Sequence, residues 1–201
     1  MNKIKFTVCL LSSLFLLSAC STSPDGASDA LVEKEKSQRM TVVSSGRPAD
    51  VLPAFTTFTW NEEYNRVLSA INDSNAADVK DHIRAEIIRY LGTKGYRYEP
   101  DASRADVVIG FLFALEQDAG DNRIIQQFGL SPGLNDSDLK DHRYEKGTFL
   151  LAVLGPNLTP VYWRSAMQGF VDMDSDRKDP QTNRMQAVLS IMMDGFPKAG
   201  Q

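Results

Sequence analysis

Apolar and polar positions alternate with two different periods along the chain, and each change of period marks a new element. From Ala76 to Leu91, the residues Val79, Ile83, Ile87 and Leu91 recur every fourth position, joined by Ile88 and Tyr90. Lys80, Asp81, Arg84, Glu86 and Arg89 fall between them, so the spacing predicts an amphipathic helix whose charges face water. Ser74 or Asn75 can cap its start, and Gly92 or Gly95 can end it. A second helix is expected from about Pro180 to Asp194. Met185, Val188, Leu189 and Met192 line one face there, Pro180 suits the first turn, and Gly195-Phe196-Pro197 stops it.

The remaining signals read as strands. Met40 to Val43 and Phe55 to Trp60 are β-favouring runs separated by Gly46, Pro48 and Pro53. Ala105 to Leu115 is apolar at nearly every position, which suits a central strand covered on both faces. Gly147 to Leu154 and Val161 to Val171 flank Gly155-Pro156-Asn157-Leu158-Thr159-Pro160, whose composition suits a hairpin connection. Residues 116 to 146 are polar and punctuated by Gly120, Gly129, Pro132 and Gly133, a loop long enough to suggest function or motion. The order strand, strand, helix, strand, loop, strand, strand, helix predicts an α+β fold. We expect a two-layer sandwich, with a mostly antiparallel sheet of about five strands and two helices packed on one face.

The front of the chain follows different rules. Lys3 and Lys5 precede an apolar run from Phe6 to Leu17, and then come Ser18, Ala19 and Cys20. Charged, apolar and small-residue regions in that order form a secretory signal, and the run is too short for a membrane-spanning helix. Leu17-Ser18-Ala19-Cys20 resembles the lipobox of bacterial lipoproteins, in which the thiol takes up a diacylglyceryl group before cleavage in front of it. Residues 1–19 are therefore expected to be a signal peptide, with Cys20 as the lipidation site. Several acyl chains would hold the protein to a membrane far more firmly than one. Ser21, where aspartate would favour retention at the inner membrane, points to the outer membrane with the domain facing the periplasm.

Composition then narrows the rest. Removing 19 residues from 201 leaves 182, enough for a tether and one domain. The net charge of −4 becomes −6 because Lys3 and Lys5 leave, and an acidic chain lacks the footprint expected of a nucleic-acid binder. Cys9 also leaves, so the mature chain keeps only Cys20 and has no thiol for a disulfide, a nucleophile or a cysteine metal site. Ser21 to about Arg39 is rich in Ser, Asp, Glu, Lys and Gln, and residues 20–39 are expected to be a lipidated, flexible tether. The folded domain is expected over 40–198.

Five pieces in order resemble the DUF4136 domain of envelope lipoproteins. They are Phe55 to Trp60, Ala105 to Phe111, Lys146 to Leu151, Val161 to Ala166 and the closing Phe196-Pro197, and the likeness covers about residues 40 to 198. The chain departs from the family pattern in its long loop and at Gly155, where an Asp often begins the turn. That family has no established activity, so the resemblance implies a location and an architecture.

Candidate chemistry is sparse. Asp172, Asp174, Asp176 and Asp179 are spaced like the ligands of a calcium loop, but Arg177 stands where the tight turn calls for Gly and Asn183 where a bidentate Glu belongs. Ser137 and Lys140 have the spacing of penicillin-recognising enzymes without the partner motifs. His82 lies one helical turn from both Asp78 and Glu86, a seed for a metal or acid–base site, although a surface histidine is the commoner outcome. Phe58, Trp60, Tyr162 and Trp163 fall on strands, where they would pack a core or form a rim that stacks a sugar or peptide. No catalytic, cofactor-binding or metal-ligating residue is assigned and no cofactor is expected. The expectation is a non-enzymatic lipoprotein that is held to the membrane through Cys20 and binds or scaffolds an envelope protein or cell-wall partner. The sheet edge or the 116–146 loop would be its contact surface. An envelope hydrolase or a metal-dependent enzyme is the alternative.

Overall fold

A computed structural model describes residues 39–47, 52–69, 73–115, 126, 129–130, 133–134, 145–171 and 184–201. The signal segment, the tether up to Gln38, Ser137 to Lys140, His142, the 172–179 acidic run and Pro180 lie outside the described residues. In chain order the elements are β1 (Met40–Gly46), β2 (Thr57–Ser69), α1 (Asp73–Thr93), β3 (Arg97–Tyr98), β4 (Val107–Leu115), β5 (Glu145–Leu154), β6 (Val161–Val171) and α2 (Arg184–Met192). The six strands form one sheet in the order β1-β6-β5-β4-β2-β3. β1, β6, β5 and β4 pair antiparallel in turn, whereas β2 runs parallel to both β4 and β3.

The α+β sandwich expected from the pattern is present, with one strand more than expected. β3 contributes only Arg97 and Tyr98, too short for any periodic signal. β2 also runs nine residues past the expected end at Trp60. It does so through a bulge: Trp60 pairs with Ile109, but the next paired residue is Asn65, opposite Phe111.

Both helices lie on one face. Ile83, Ile87 and Leu91 of α1 and Val188, Leu189 and Met192 of α2 share one buried cluster with Ile109, Phe111 and Phe113 of β4 and Phe149, Leu151 and Val153 of β5. Helix α1 ends as its glycines suggest. Tyr96 donates its N–H to the Leu91 carbonyl and Gly95 donates to that of Gly92, both at 3.0 Å, with Gly95 at φ +91°. That is the paired hydrogen-bond pattern of a left-handed helix stop, where the lack of a Cβ removes the steric cost.

Glu86 does not take the wet face expected of it. It is only 4% exposed, and Gln186 of α2 donates its Nε2–H to the Glu86 carboxylate at 2.7 Å and to its carbonyl at 2.8 Å. Arg89 closes the group with an ion pair at 2.9 Å. Helix α1 thus buries apolar residues against the sheet and a polar link against α2, a contact that periodicity alone does not register.

The second face of the sheet is apolar as well. Val108, Ala152 and Leu154 are covered by Leu158 from the β5–β6 turn. Leu158 sits at φ +63°, a position that costs an L-residue about 1 kcal/mol, and its side chain offsets that by packing on this face. Leu150 and Ala166 pack with Leu130, and Leu134 donates its N–H to the buried Gln168 side chain at 2.9 Å. The described leucines of the 116–146 segment are therefore cover for the sheet.

Candidate functional site

The structure distributes the candidate residues in three ways. His82 and Asp78 are exposed on α1, while Glu86 is occupied by Gln186 and Arg89, so the helical triplet is not brought together. Among the described residues no group of three or more His, Cys, Asp or Glu could hold a metal ion. Trp163 is buried and donates its indole N–H to the Met192 carbonyl at 3.0 Å. The Ser44 hydroxyl donates to the same carbonyl at 3.1 Å, and the Lys94 ammonium to that of Met193 at 2.9 Å. These three side chains satisfy carbonyls that the end of α2 leaves without intrahelical partners. Burial holds the Lys94 ammonium below the usual lysine range, against the opposing pull of the Asp194 charge. Trp163 is thereby a structural residue.

Trp60 and Phe58 stand elsewhere, at the β2 edge. Their rings meet edge to face at 5.5 Å, and Tyr98 lies 5.9 Å from Trp60. The Arg84 guanidinium sits 5.6 Å from the centre of the Trp60 ring and donates to Glu62 at 2.6 Å. Lys80 reaches the other oxygen of Glu62 at 3.4 Å. The hydrogen bond from Arg84 is the main reason the Glu62 carboxyl titrates below the usual carboxylate range. Glu62 belongs to the bulge Asn61 to Tyr64, which folds over Gly110. A Cβ on Gly110 would lie 3.0 Å from that of Tyr64, so glycine is what permits the close approach. Tyr98 and Tyr64 stay exposed, at 41% and 44%.

The start of this edge is tied by Asp106. One of its carboxylate oxygens accepts the N–H groups of Thr56 and Thr57 at 2.8 and 2.9 Å and both threonine hydroxyls. The Thr56 N–H is the largest of the influences that lower its carboxyl below the ordinary value.

The opposite edge is β1, paired along its whole length with β6 from Met40–Gly169 to Gly46–Trp163. Arg39 and Arg47 stand at its two ends, both exposed and neither in an ion pair among the described residues. Sequence reasoning treated the sheet edge as a contact surface but did not single out this pair of arginines. The signal was available: seven uncharged residues between two cations.

A family model described as "Domain of unknown function (DUF4136)" matches residues 42–198. No curated protein matches the chain. Among solved structures, a DUF4136 family protein from Bacteroides thetaiotaomicron is similar at 14% identity and a TM-score of 0.49, over 81% of this chain and 98% of that one. A PelC dodecamer from Paraburkholderia phytofirmans aligns at 10% identity and a TM-score of 0.45, over 81% of this chain and all of the other. A homolog of a putative neuraminyllactose-binding hemagglutinin from Helicobacter pylori aligns at 12% identity and a TM-score of 0.36, over 77% and 87%.

Proposed function

The chain belongs to the DUF4136 family, and from that premise we propose that it is an envelope lipoprotein whose domain binds or scaffolds a partner without catalysing a reaction. The sequence Leu17-Ser18-Ala19-Cys20 supports the anchor, and Ser21 supports the outer membrane with the domain on the periplasmic side. Among the described residues no helix is long and apolar enough to cross a membrane; in this reading the lipid at Cys20 is the attachment.

The observation that carries the binding role is the outer edge of β1. Among the described residues it is a strand of seven residues paired on one side only, bounded by Arg39 and Arg47, neither of which is in an ion pair; the Arg47 guanidinium lies 6.0 Å from the centre of the Tyr162 ring. A row of open main-chain donors and acceptors is a surface that recognises polypeptide directly. The partner class is thus a protein of the envelope.

The anchor is tested with Cys20→Ser in cells supplied with a labelled fatty acid. The wild-type chain takes the label and sediments with membranes. The variant takes none, keeps its signal segment and runs larger. Unchanged labelling would remove the lipoprotein from the account.

A further inference from the structure

Arg47 donates its N–H to the Tyr162 carbonyl at 2.9 Å, and this bond fixes the phase of the β1–β6 ladder. In an antiparallel pair, a residue turns both main-chain groups to one neighbour and the next residue turns both to the other side. Thr41, Val43, Ser45 and Arg47 therefore bond to β6. The N–H and C=O groups of Met40, Val42, Ser44 and Gly46 face outward, and none has a main-chain partner among the described residues. Met40–Gly46 contains no charge or proline, and its pairing with β6 has no register shift. These are the devices by which proteins close an edge against further strands, and β1 lacks them.

We propose that this edge takes an extended strand from an envelope protein, with a core of alternating β-branched residues bracketed by carboxylates that meet Arg39 and Arg47. The proposal deepens the binding reading above and rests on it. Main-chain bonds to Met40, Val42, Ser44 and Gly46 would supply affinity, and the two terminal charges would select the partner and set its register. A second copy of this chain is the poorer occupant. Pairing β1 with itself over its full length pivots on Val43 and sets Arg39 opposite the Arg47 of the other copy, at both ends. Like charges directly opposite each other destabilise such a pair.

The test uses the intact lipoprotein in detergent and two fluorescent peptides of alternating threonine and valine, as long as residues 39–47. One has glutamate at both ends and the other lysine. The chain binds the glutamate-ended peptide about fivefold more tightly at low salt, and the double variant Arg39→Glu, Arg47→Glu reverses the preference. Val42→Pro removes an outward N–H together with a side chain packed on the core, so Val42→Ala, which trims that side chain and keeps the N–H, is its control. The proline variant abolishes binding of both peptides, the alanine variant retains it, and the circular dichroism spectrum stays unchanged in both. Equal binding of the two peptides, or none of either, overturns the proposal. Photo-reactive residues placed in cells at Met40 and at Tyr98 separate this proposal from the reading it rests on. Adducts with another protein from Met40, lost with Val42→Pro, support it. Adducts from Tyr98 alone overturn the β1 site and leave the binding role standing. Adducts from Met40 to the chain itself overturn the choice of occupant, and the absence of adducts at both positions overturns the site and the binding role together.

Discussion

The two edges of one sheet are built for opposite ends. β2 spans 13 residues, yet its outer side is interrupted three times: by β3 at Thr57 and Phe58, by the bulge from Asn61 to Tyr64, and by the charges of Glu62, Glu63 and Arg66. β1 spans seven residues with unbroken register and no charge inside it. Bulges and charges are the usual means of stopping an edge from recruiting further strands. The longer strand is thus the guarded one, and among the described residues nothing pairs with the outer side of the shorter. Strand length alone would point to β2, whereas the surface proposed above for a partner strand is the shorter β1.

The guard on β2 depends most on Gly110. Gly110→Val places a branched side chain where a Cβ alone already comes within 3.0 Å of Tyr64. We expect a loss of about 1–3 kcal/mol in stability, the usual cost of overpacking. It would be read as a lower thermal midpoint, together with new exposure of Trp60 to a fluorescence quencher as the bulge lets go. A midpoint unchanged from wild type would show that the bulge does not need the glycine.

Asp106 gives a smaller, pH-dependent effect on the same edge. Its folded-state carboxyl lies below the ordinary value because the Thr56 and Thr57 donors favour the charged form. A depressed carboxyl adds stability above its unfolded value of about 3.9 and loses it as the pH falls through the folded value. Asp106→Asn should therefore lower the midpoint at neutral pH by an amount that shrinks on acidification below about 4. A deficit that stays constant with pH would mean that the charge is not what ties Thr56 and Thr57.

How much of this was legible in the sequence varies with what determines each element. β6 begins and ends where its pattern does, because Pro160 precedes it and β-favouring Val161, Tyr162, Trp163, Phe170 and Val171 stand at its two ends. The apolar character of β4 on both faces announced its central place, and it lies between β5 and β2. Gly95 announced the end of α1 through a rule that is local to the backbone. The second half of β2 was hidden because Asn61-Glu62-Glu63 has poor strand propensity. It is held in place by Gly110 of a neighbouring strand and by Lys80 and Arg84 of a helix. Glu86 was misplaced for a related reason, since its partner Gln186 lies 100 residues away. The β2 rim was half visible: Trp60 and Phe58 were named, but Tyr98 lies on a two-residue strand that no period reveals. The openness of β1 is a property of its neighbours, so it appears only once β6 occupies the other side.

The contrast between the edges is tested most directly by amide hydrogen exchange of β1 in the intact protein. The account predicts an alternating record: slow exchange at Thr41, Val43, Ser45 and Arg47, which bond to β6, and exchange near the rate of an unstructured amide at Val42, Ser44 and Gly46. Uniform protection from Thr41 to Arg47 would contradict it, because the outer edge would then already be occupied within the chain itself.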